Sequence, residues 1–209
     1  HVLGFFSTFN PDIIRQVSLY KGNIPAQYGS RVSSVLDVEI KDADNEAFHL
    51  RGGVGLVSSK LAAEIPLVKG QTSLLLAGRT SYSDWIARRV KNRDVKQSTA
   101  YFYDTNAKLT HRFGDGSNIS LSFYESFDRF RFSDQFGFAW KNRTAGFQWN
   151  QLIGEDISSN LSVSYGLLNN EQFIPSTTLG FNLFSGLEYY KVRENLFFTI
   201  QDRHQVHLG

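Results

Sequence analysis

The stretch YFYDTNAKLTHRF, residues 101–113, alternates between apolar and strongly polar side chains, and this alternation decides the fold class. The apolar positions are Tyr101, Tyr103, Ala107, Leu109 and Phe113. The polar positions between them are Asp104, Asn106, Lys108, Thr110 and Arg112. Because successive side chains of a strand point to opposite faces, the pattern predicts a strand with one apolar and one very polar face. The glycine-containing stretch GDGS follows directly and predicts a hairpin turn.

The same alternation returns along the rest of the chain. It is clear in NISLSFYES (118–126), NLSVSYGLLN (160–169) and NLFFTIQ (195–201). Shorter strands are predicted in HLRGGVGLVSS (49–59), KLAAEIPLV (60–68) and TSLLLAGRTSY (72–82). We count about eight strands and the beginning of a ninth at 205–209. The chain is therefore predicted to be mainly β, with antiparallel neighbours.

Composition excludes several classes of protein. The 209 residues include no cysteine, no methionine, 18 phenylalanines and 9 tyrosines, and the formal net charge is +2. A disulfide scaffold and the basic excess of a nucleic-acid-binding protein are both absent. No stretch approaches the ~18 apolar residues of a membrane-spanning helix, and the start lacks the basic end and cleavage site of a signal peptide. Since the first residue is His1, we expect an internal piece of a longer protein.

The predicted connections between strands alternate in length. VKGQ (68–71), FGDGSN (113–118) and GEDISS (154–159) are short. The stretches 83–99, 126–143 and 169–190 are long and rich in aromatic and charged residues, and we interpret them as loops. Short turns at one end and long loops at the other are typical of an outer-membrane β-barrel. A soluble β-sandwich also alternates, and it stays open as an alternative.

Aromatic residues crowd the ends of the predicted strands. They are Tyr101, Phe102, Tyr103, Trp140 and Trp149. Rings at these positions are typical of the interfacial girdle of a membrane protein, although they also fill the core of a soluble sandwich.

The stretch FNPDIIRQVSLYKGNIPAQYGSRVSSVLDVEIK, residues 9–41, resembles the end of the plug domain of TonB-dependent outer-membrane receptors. In that family a short helical segment (here PDIIRQ) leads to a strand (VSLYKG), a glycine turn and a one-turn helix that begins at a proline (PAQYG). A last plug strand (SSVLDVEIK) then feeds the barrel. Downstream, GRTSYSDWI and YFYDTNAKL resemble early barrel strands of the Bacteroidetes-type subgroup, which often carries an N-terminal carboxypeptidase-regulatory-like domain.

The resemblance implies a fold and a function. Residues 1–44 would form the C-terminal part of the plug, and residues 45–209 the N-terminal part of a transmembrane antiparallel β-barrel of about 22 strands. The protein would lie in the bacterial outer membrane and import a scarce nutrient, such as a siderophore, cobalamin, glycan or peptide. Its partners would be the TonB–ExbB–ExbD complex, outer-membrane lipid and lipopolysaccharide, and a surface lipoprotein as in the glycan-importing relatives. No cofactor and no nucleic acid are expected.

A compact corner of the plug is the first candidate site. Its residues are Gly22, Pro25, Tyr28, Gly29 and Arg31. The two glycines allow a positive φ, and the proline fixes φ at the start of a helical turn. Within a barrel, the basic side chains of Lys21 and Arg31 would face polar groups of the barrel wall. Candidate acidic partners on the inward faces are Glu64, Asp104 and Glu125.

A basic outer loop is the second candidate site. Its residues are Trp85, Arg88, Arg89, Lys91 and Arg93. Their positive charge would favour an anionic ligand or the phosphates of lipopolysaccharide. A solvated loop without a ligand is the alternative interpretation.

We find no catalytic or metal site in the sequence. His49 and His111 are isolated, and the spacing of His204 and His207 in HQVH places the two rings on opposite faces of a strand. No serine lies in a G-x-S-x-G nucleophile elbow. An outer-membrane barrel enzyme and a soluble β-sandwich module for adhesion or carbohydrate binding remain the alternative functions.

Overall fold

The computed structural model describes residues 10–22, 24, 28, 34–82, 84–154, 156–175, 180–200 and 204–209. The described residues form two antiparallel sheets. The small sheet pairs β1 (Ile14–Lys21) with β2 (Ser34–Ile40) and follows a 3₁₀ turn at Pro11–Ile13. Two short helices, α1 (Asp84–Ala87) and α2 (Arg93–Lys96), occur later in the chain. No helix among the described residues is long and apolar enough to cross a membrane.

The large sheet has nine strands that follow one another in sequence order, each antiparallel to the next. They are β3 (His49–Val54), β4 (Ser58–Val68), β5 (Thr72–Ser81), β6 (Thr99–Arg112), β7 (Asn118–Phe132), β8 (Phe136–Ile153), β9 (Ile157–Ile174), β10 (Phe181–Ile200) and β11 (His204–Leu208). The prediction of a mainly β chain with antiparallel neighbours is confirmed. The alternating stretch that decided the fold class is β6, and the predicted ninth strand is β11.

The three predicted short turns are confirmed at one end of the large sheet. They connect β4 to β5, β6 to β7, and β8 to β9. Each contains a glycine with positive φ, namely Gly70 at 74°, Gly116 at 87° and Gly154 at 69°. A side chain resists this backbone conformation, so glycine permits the tight reversal.

The prediction of three long loops is correct for one of them. Residues 82–98 join β5 to β6. The other two stretches, 126–143 and 169–190, lie mostly within strands, because β7 runs to Phe132, β8 begins at Phe136, and β9 reaches Ile174. Charge in these stretches had indicated loops. In the structure these residues belong to strands, although each face of FDRFRF (127–132) carries both aromatic and charged side chains and shows no apolar and polar alternation.

The predicted helical segment PDIIRQ is also shorter than expected. Only Pro11–Ile13 form a turn of 3₁₀ helix, with the Asn10 side chain accepting a hydrogen bond from the Asp12 N–H at 3.1 Å. The strand begins at Ile14, whose φ of −79° and ψ of 131° are extended, a conformation that a β-branched side chain favours. The last predicted plug strand, SSVLDVEIK, corresponds to β2.

The two faces of the large sheet differ sharply in polarity. We call the face that carries the small sheet the inner face, and the opposite one the outer face. Apolar side chains are exposed on the outer face, among them Leu61, Leu76, Leu121, Phe123 and Val163. Polar side chains are buried on the inner face, among them Glu64, Ser73, Asp104, Thr110 and Ser120. Leu121 is 56% exposed and Asp104 only 1% exposed, which reverses the arrangement of a water-soluble sheet.

The apolar band on the outer face has a defined length. In β6 it runs from His111 to Tyr103, about eight residues or roughly 26 Å along the strand. At one edge the rings of Tyr101, Tyr103 and Phe127 cluster, with centroids 5.9–6.4 Å apart. Trp149 lies exposed toward the opposite edge, beside the short turns.

Two aromatic residues predicted for the girdle lie on the inner face instead. Phe102 is buried under the Arg79 guanidinium, 5.6 Å from its ring centroid. Trp140 stacks on Phe138 with centroids 5.5 Å apart. The strand period assigns both residues to the polar face, because Phe102 is even-numbered like Asp104 and Trp140 is even-numbered like Gln148.

Candidate functional site

The linker between the two sheets, residues 41–48, binds the inner face through two carboxylates, of which Glu64 is buried and Asp42 partly exposed. Glu64 of β4 is the first of them, with a side chain only 8% exposed. Its Oε1 accepts hydrogen bonds from Lys41 Nζ at 2.7 Å and from an Arg51 guanidinium nitrogen at 2.6 Å. Its Oε2 accepts from the Asp44 backbone N–H at 2.9 Å. One carboxylate therefore holds a side chain and the backbone of the linker against β4.

Asp42 makes a matching contact from the linker to β6. Its carboxylate lies 2.8 Å from Lys108 Nζ and accepts a hydrogen bond from the Thr110 hydroxyl at 3.1 Å. Arg112 lies 3.7 Å away on the same strand. Lys108 also donates to the Ile40 carbonyl at 2.9 Å. Because these side chains are alternate residues of β6, they share the inner face and meet the linker together.

A small apolar core lies beneath these polar contacts. It consists of Ile13, Ala43, Ala62, Leu75 and Ala77. The Ser73 hydroxyl donates to the Ala43 carbonyl at 3.1 Å, and Lys60 pairs with Asp12 at 2.9 Å at the start of the small sheet. The attachment of the small sheet is therefore mostly polar, with few apolar side chains. We call the residues of these two clusters and this core the attachment site.

The three acidic side chains predicted as partners of the plug corner make other contacts in the structure. Glu64 and Asp104 do lie on the inner face, but Glu64 binds Lys41 and Arg51, and Asp104 binds Arg79 at 2.6 Å. Lys21 is exposed at the end of β1, and Arg31 lies outside the described residues. The prediction for Glu125 is wrong, because this residue lies on the outer face, opposite Thr105 and Arg143.

The strand period explains the position of Glu125. It is separated from Leu121 and Phe123 by even numbers of residues and therefore shares their face. Its carboxylate accepts a hydrogen bond from the Tyr103 hydroxyl at 2.8 Å and also pairs with Arg143. These polar groups lie at the edge of the apolar band that is far from the short turns.

The described part of the plug corner contains Gly22 and Tyr28. Gly22 has a φ of 85°, which confirms the predicted positive angle. The Tyr28 hydroxyl donates to Asp37 Oδ2 at 2.7 Å, and its ring packs 5.2 Å from Tyr20. The hydrogen bond to Asp37 raises the pKa of Tyr28 well above its usual value. Pro25, Gly29 and Arg31 lie outside the described residues.

The predicted basic loop crosses the end of the large sheet that is opposite the short turns. Trp85 Nε1 donates to the Leu56 carbonyl at 3.0 Å, so the loop is fixed to the β3–β4 connection. Arg89 lies over the Trp85 ring at 4.8 Å. The other three predicted residues, Arg88, Lys91 and Arg93, are exposed. The structure thus brings together Trp85 and Arg89.

Sequence reasoning missed the residues that attach the linker. Lys41, Asp42 and Asp44 lie in KDAD, residues 41–44, at the end of the segment predicted to belong to the plug. The available signal was the concentration of charge in KDAD, together with a glutamate, Glu64, on the polar face of a predicted strand. The contacts themselves link residues up to 68 positions apart, so local pattern does not specify them.

The two aspartates of the linker have lowered pKa values. Burial raises the pKa of Asp42, but hydrogen bonds and charge from Lys108, Thr110 and Arg112 outweigh it and bring the pKa below its ordinary 3.8. The pKa of Asp44 falls to about 2 because its carboxylate accepts hydrogen bonds from the Glu46 N–H, the His49 ring and the Ala47 N–H. Both groups are therefore ionised at neutral pH.

We expect the attachment of the linker to weaken in acid. A carboxylate with a lowered pKa stabilises the folded state above its unfolded pKa, and this contribution is lost as pH falls through the folded pKa. For Asp42 the loss begins as pH approaches the ordinary value of 3.8 and continues below it. Hydrogen exchange of the Lys41 and Asp44 amides, corrected for intrinsic rate, should be constant from neutral pH to about 5 and accelerate below about 4.

The variant Asp42→Asn isolates this effect. It should exchange about tenfold faster at neutral pH, since a hydrogen bond to a charged group contributes about 1.5 kcal/mol. Its acceleration in acid should be smaller than that of the unaltered chain. Equal acid profiles in the two proteins would contradict a role for Asp42.

The four histidines in the described part of the chain lie on different strands or faces and do not form a common site. His204 lies opposite Ile200 and His207 opposite Phe197 on β10, so the prediction that their rings lie on opposite faces is confirmed. Among the described residues, no group of three or more His, Asp or Glu side chains is close enough to hold a metal ion. No family model, no curated protein and no solved structure matches the chain.

Proposed function

We propose that the chain is the end of the plug and the first part of the barrel of a TonB-dependent outer-membrane receptor. In this proposal the small sheet belongs to the plug, the large sheet is part of the barrel wall, and the outer face contacts lipid. The reversed polarity of the large sheet carries the proposal. An exposed apolar face combined with a buried polar face is favourable only where the solvent outside is hydrocarbon and the interior holds polar groups.

The length of the apolar band is compatible with the proposal. At the tilt of about 40° that strands of such barrels adopt, roughly 26 Å along β6 would span roughly 20 Å, close to the band of about 25 Å that outer-membrane barrels present to lipid. The strands β7 to β10 are 15 to 20 residues long and extend past the band at the end away from the short turns. The one long connection, residues 82–98 between β5 and β6, lies at this same end, and longer loops on one side of the membrane are typical of this class of barrel.

The same polarity argues against a soluble β-sandwich. A sandwich packs two sheets through apolar inner faces and exposes polar outer faces. Here the face that packs against the small sheet carries Glu64, Asp104 and Thr110, and the exposed face carries Leu121 and Phe123.

The attachment site fits a plug that must move. The nutrient would bind from outside, and the TonB–ExbB–ExbD complex would pull the plug to open a path to the periplasm. Polar contacts such as those of Asp42 and Glu64 are replaced by hydration when they break, so their net contribution is modest and their loss is reversible. In this proposal the nutrient is a siderophore, cobalamin, glycan or peptide, and a surface lipoprotein is a further candidate partner.

Cysteine labelling in intact cells tests the proposal. Asn92 lies in the loop between β5 and β6, and Asp115 lies in the short turn between β6 and β7 at the opposite end of the sheet. Because the chain has no cysteine, Asn92→Cys and Asp115→Cys each create a unique thiol. A membrane-impermeant reagent should label the first in intact cells and the second only after the outer membrane is opened.

Other labelling results would separate the alternatives. Labelling of Asp115→Cys alone in intact cells would indicate the opposite orientation of the sheet in the membrane. Equal labelling of both positions in intact cells, or recovery of the protein in the soluble fraction, would contradict a membrane-spanning sheet. Heat-modifiable migration on gels serves as the control that each variant is folded.

A further inference from the structure

A pocket of about 420 Å³ opens on the outer face of the large sheet, beside the short turn between β6 and β7. It lies at the edge of the apolar band that is close to the short turns, and we call it the turn pocket. Its lining combines three aromatic rings with an isoleucine, a carboxylate and an amide, namely Phe113, Phe147, Trp149, Ile119, Asp115 and Gln151.

The aromatic rings of the turn pocket are accessible from outside. Trp149 lies directly opposite Ile119, and Phe113 follows the end of β6 on the other side of β7. Phe113 and Trp149 are both exposed. The His111 ring packs against Phe113 in an edge-to-face arrangement with centroids 4.8 Å apart, which fixes the orientation of the Phe113 ring. Because the faces of aromatic rings carry partial negative charge, such a pair of rings attracts a cation.

Asp115 adds a full negative charge at the same place. Its Oδ1 accepts a hydrogen bond from the Ser117 N–H at 2.9 Å. The Ser117 carbonyl accepts from the Phe113 N–H at 2.8 Å, and the Ser117 hydroxyl accepts from the Leu152 N–H at 2.9 Å. The turn is therefore fixed before any ligand arrives, which lowers the entropic cost of binding. In the part of the chain that the structure describes, no basic side chain lines the turn pocket.

The surroundings of the turn pocket indicate which kind of cation it binds. Ile119, which lines it, is followed on the same face by Leu121 and Phe123, so the pocket opens directly into the apolar band. A soluble amine would leave this band uncovered, whereas a lipid covers both regions at once. An ammonium headgroup suits the rings and Asp115, and acyl chains suit the band. Gln151 adds an amide N–H that can donate to a phosphate.

We propose that the turn pocket binds the headgroup of a phospholipid that carries an ammonium group, such as phosphatidylethanolamine. The site rests on the proposed function, because it requires an outer face in contact with lipid. The ammonium group lies between Phe113 and Trp149 and pairs with Asp115, and the acyl chains extend along Ile119 into the apolar band. Since short turns of outer-membrane barrels face the periplasm, the lipid belongs to the periplasmic leaflet.

Quenching of Trp149 fluorescence by brominated lipids tests the site. Trp85→Phe and Trp140→Phe leave Trp149 as the only tryptophan of the chain. The full chain is reconstituted into vesicles of equal parts phosphatidylethanolamine and phosphatidylglycerol, in which one lipid or the other carries bromine on its acyl chains. Brominated phosphatidylethanolamine should quench more, corresponding to about three- to tenfold enrichment of this lipid beside Trp149, as expected of a cation held by aromatic rings.

Two variants distinguish binding in the pocket from simple repulsion of the anionic lipid. Asp115→Asn keeps an oxygen that accepts from the Ser117 N–H but removes the charge, and Phe113→Leu keeps an apolar side chain but removes a ring face. Each should bring the preference close to equality. Asp156→Asn, which changes an exposed carboxylate beside the turn between β8 and β9, is the matched control and should keep the preference. A preference that survives Phe113→Leu would indicate repulsion by Asp115 alone and would overturn the site.

The remaining outcomes separate this site from the proposed function. Equal quenching by the two brominated lipids would overturn the site but leave the outer face in lipid. If neither lipid quenches Trp149, nor a tryptophan placed within the band by Phe123→Trp in a chain without its native tryptophans, the outer face does not contact lipid and both proposals fail. Loss of the preference on addition of soluble ethanolamine would assign the pocket to a free amine and would overturn the assignment to a lipid.

Discussion

Replacement of Asp104 by alanine is expected to lower the free energy of unfolding by about 3–5 kcal/mol, a large effect for one side chain. Asp104 on β6 lies directly opposite Arg79 on β5, and their charged groups are 2.6 Å apart. The Asp104 side chain is 1% exposed and that of Arg79 is 8% exposed. Loss of the carboxylate would leave the guanidinium charge buried without its closest opposite charge. Urea unfolding in detergent, followed by tryptophan fluorescence, measures the change.

Two control variants distinguish the effect of breaking the buried ion pair from the effect of losing any carboxylate. Asp94→Ala removes a carboxylate from the exposed helix α2 and should cost less than about 1 kcal/mol. The double variant Arg79→Met with Asp104→Leu should be more stable than Asp104→Ala alone, because it removes both buried charges and keeps the volume filled. If Asp104→Ala lowers the free energy of unfolding no more than Asp94→Ala does, the buried ion pair contributes no more to stability than an exposed carboxylate.

The strand order of the large sheet was predictable because its signal is local. Alternation in β6, β7 and β9 identifies each strand, and glycines such as Gly70 and Gly116 mark the turns between them. Antiparallel pairing of neighbours then follows from short connections. The residues that fold the chain into a sheet are therefore visible one segment at a time.

Strand ends were less predictable, for a physical reason. In β7 the strand continues past Ser126, but each face there mixes aromatic and charged side chains, because Phe127 shares its face with Arg129 and Asp128 shares its face with Phe130. Charged side chains are tolerated there because the backbone is hydrogen-bonded to antiparallel neighbours. Arg129, for example, pairs with Ala139 of β8, and its guanidinium lies 5.3 Å from the Phe173 ring centroid. Pairing with a neighbour is a tertiary property, so composition alone placed a loop where a strand continues.

The attachment site was beyond prediction for a different reason. Its contacts depend on where the small sheet lies on the inner face, and this position fixes which side chains Asp42 and Glu64 can reach. An inward-facing Glu64 was identifiable from period two, whereas its partners Lys41 and Arg51 were not, because one lies in the linker and the other on the edge strand β3. The sequence therefore predicted the polar inner face of the large sheet, but not the linker residues that bind to it.

Glu64→Ala is expected to release the linker while the large sheet stays intact. Glu64 is the carboxylate that meets Lys41, Arg51 and the Asp44 N–H together, so its loss leaves two cations and one backbone donor unsatisfied. Because Arg51 is partly exposed and water replaces some contacts, we expect a cost of about 2–4 kcal/mol. A thiol at Ile13, which is 2% exposed in the core beneath the linker, reports release directly. In an Ile13→Cys background, Glu64→Ala should accelerate maleimide labelling by about 30- to 700-fold.

Glu125→Ala is the matched control, because Glu125 is a carboxylate that pairs with an arginine on the outer face of the same sheet. It should leave labelling of Ile13→Cys nearly unchanged, since none of its described contacts reaches the small sheet. Glu64→Gln should fall between Glu64→Ala and the unaltered chain, because an amide oxygen still accepts from the Asp44 N–H but carries no charge for Lys41. If all three variants label at the same rate, the small sheet is held by its apolar core rather than by Glu64. If Glu64→Ala instead lowers the urea midpoint of the large sheet in proportion to the labelling rate, the two sheets unfold as one unit, and the linker could not be released alone.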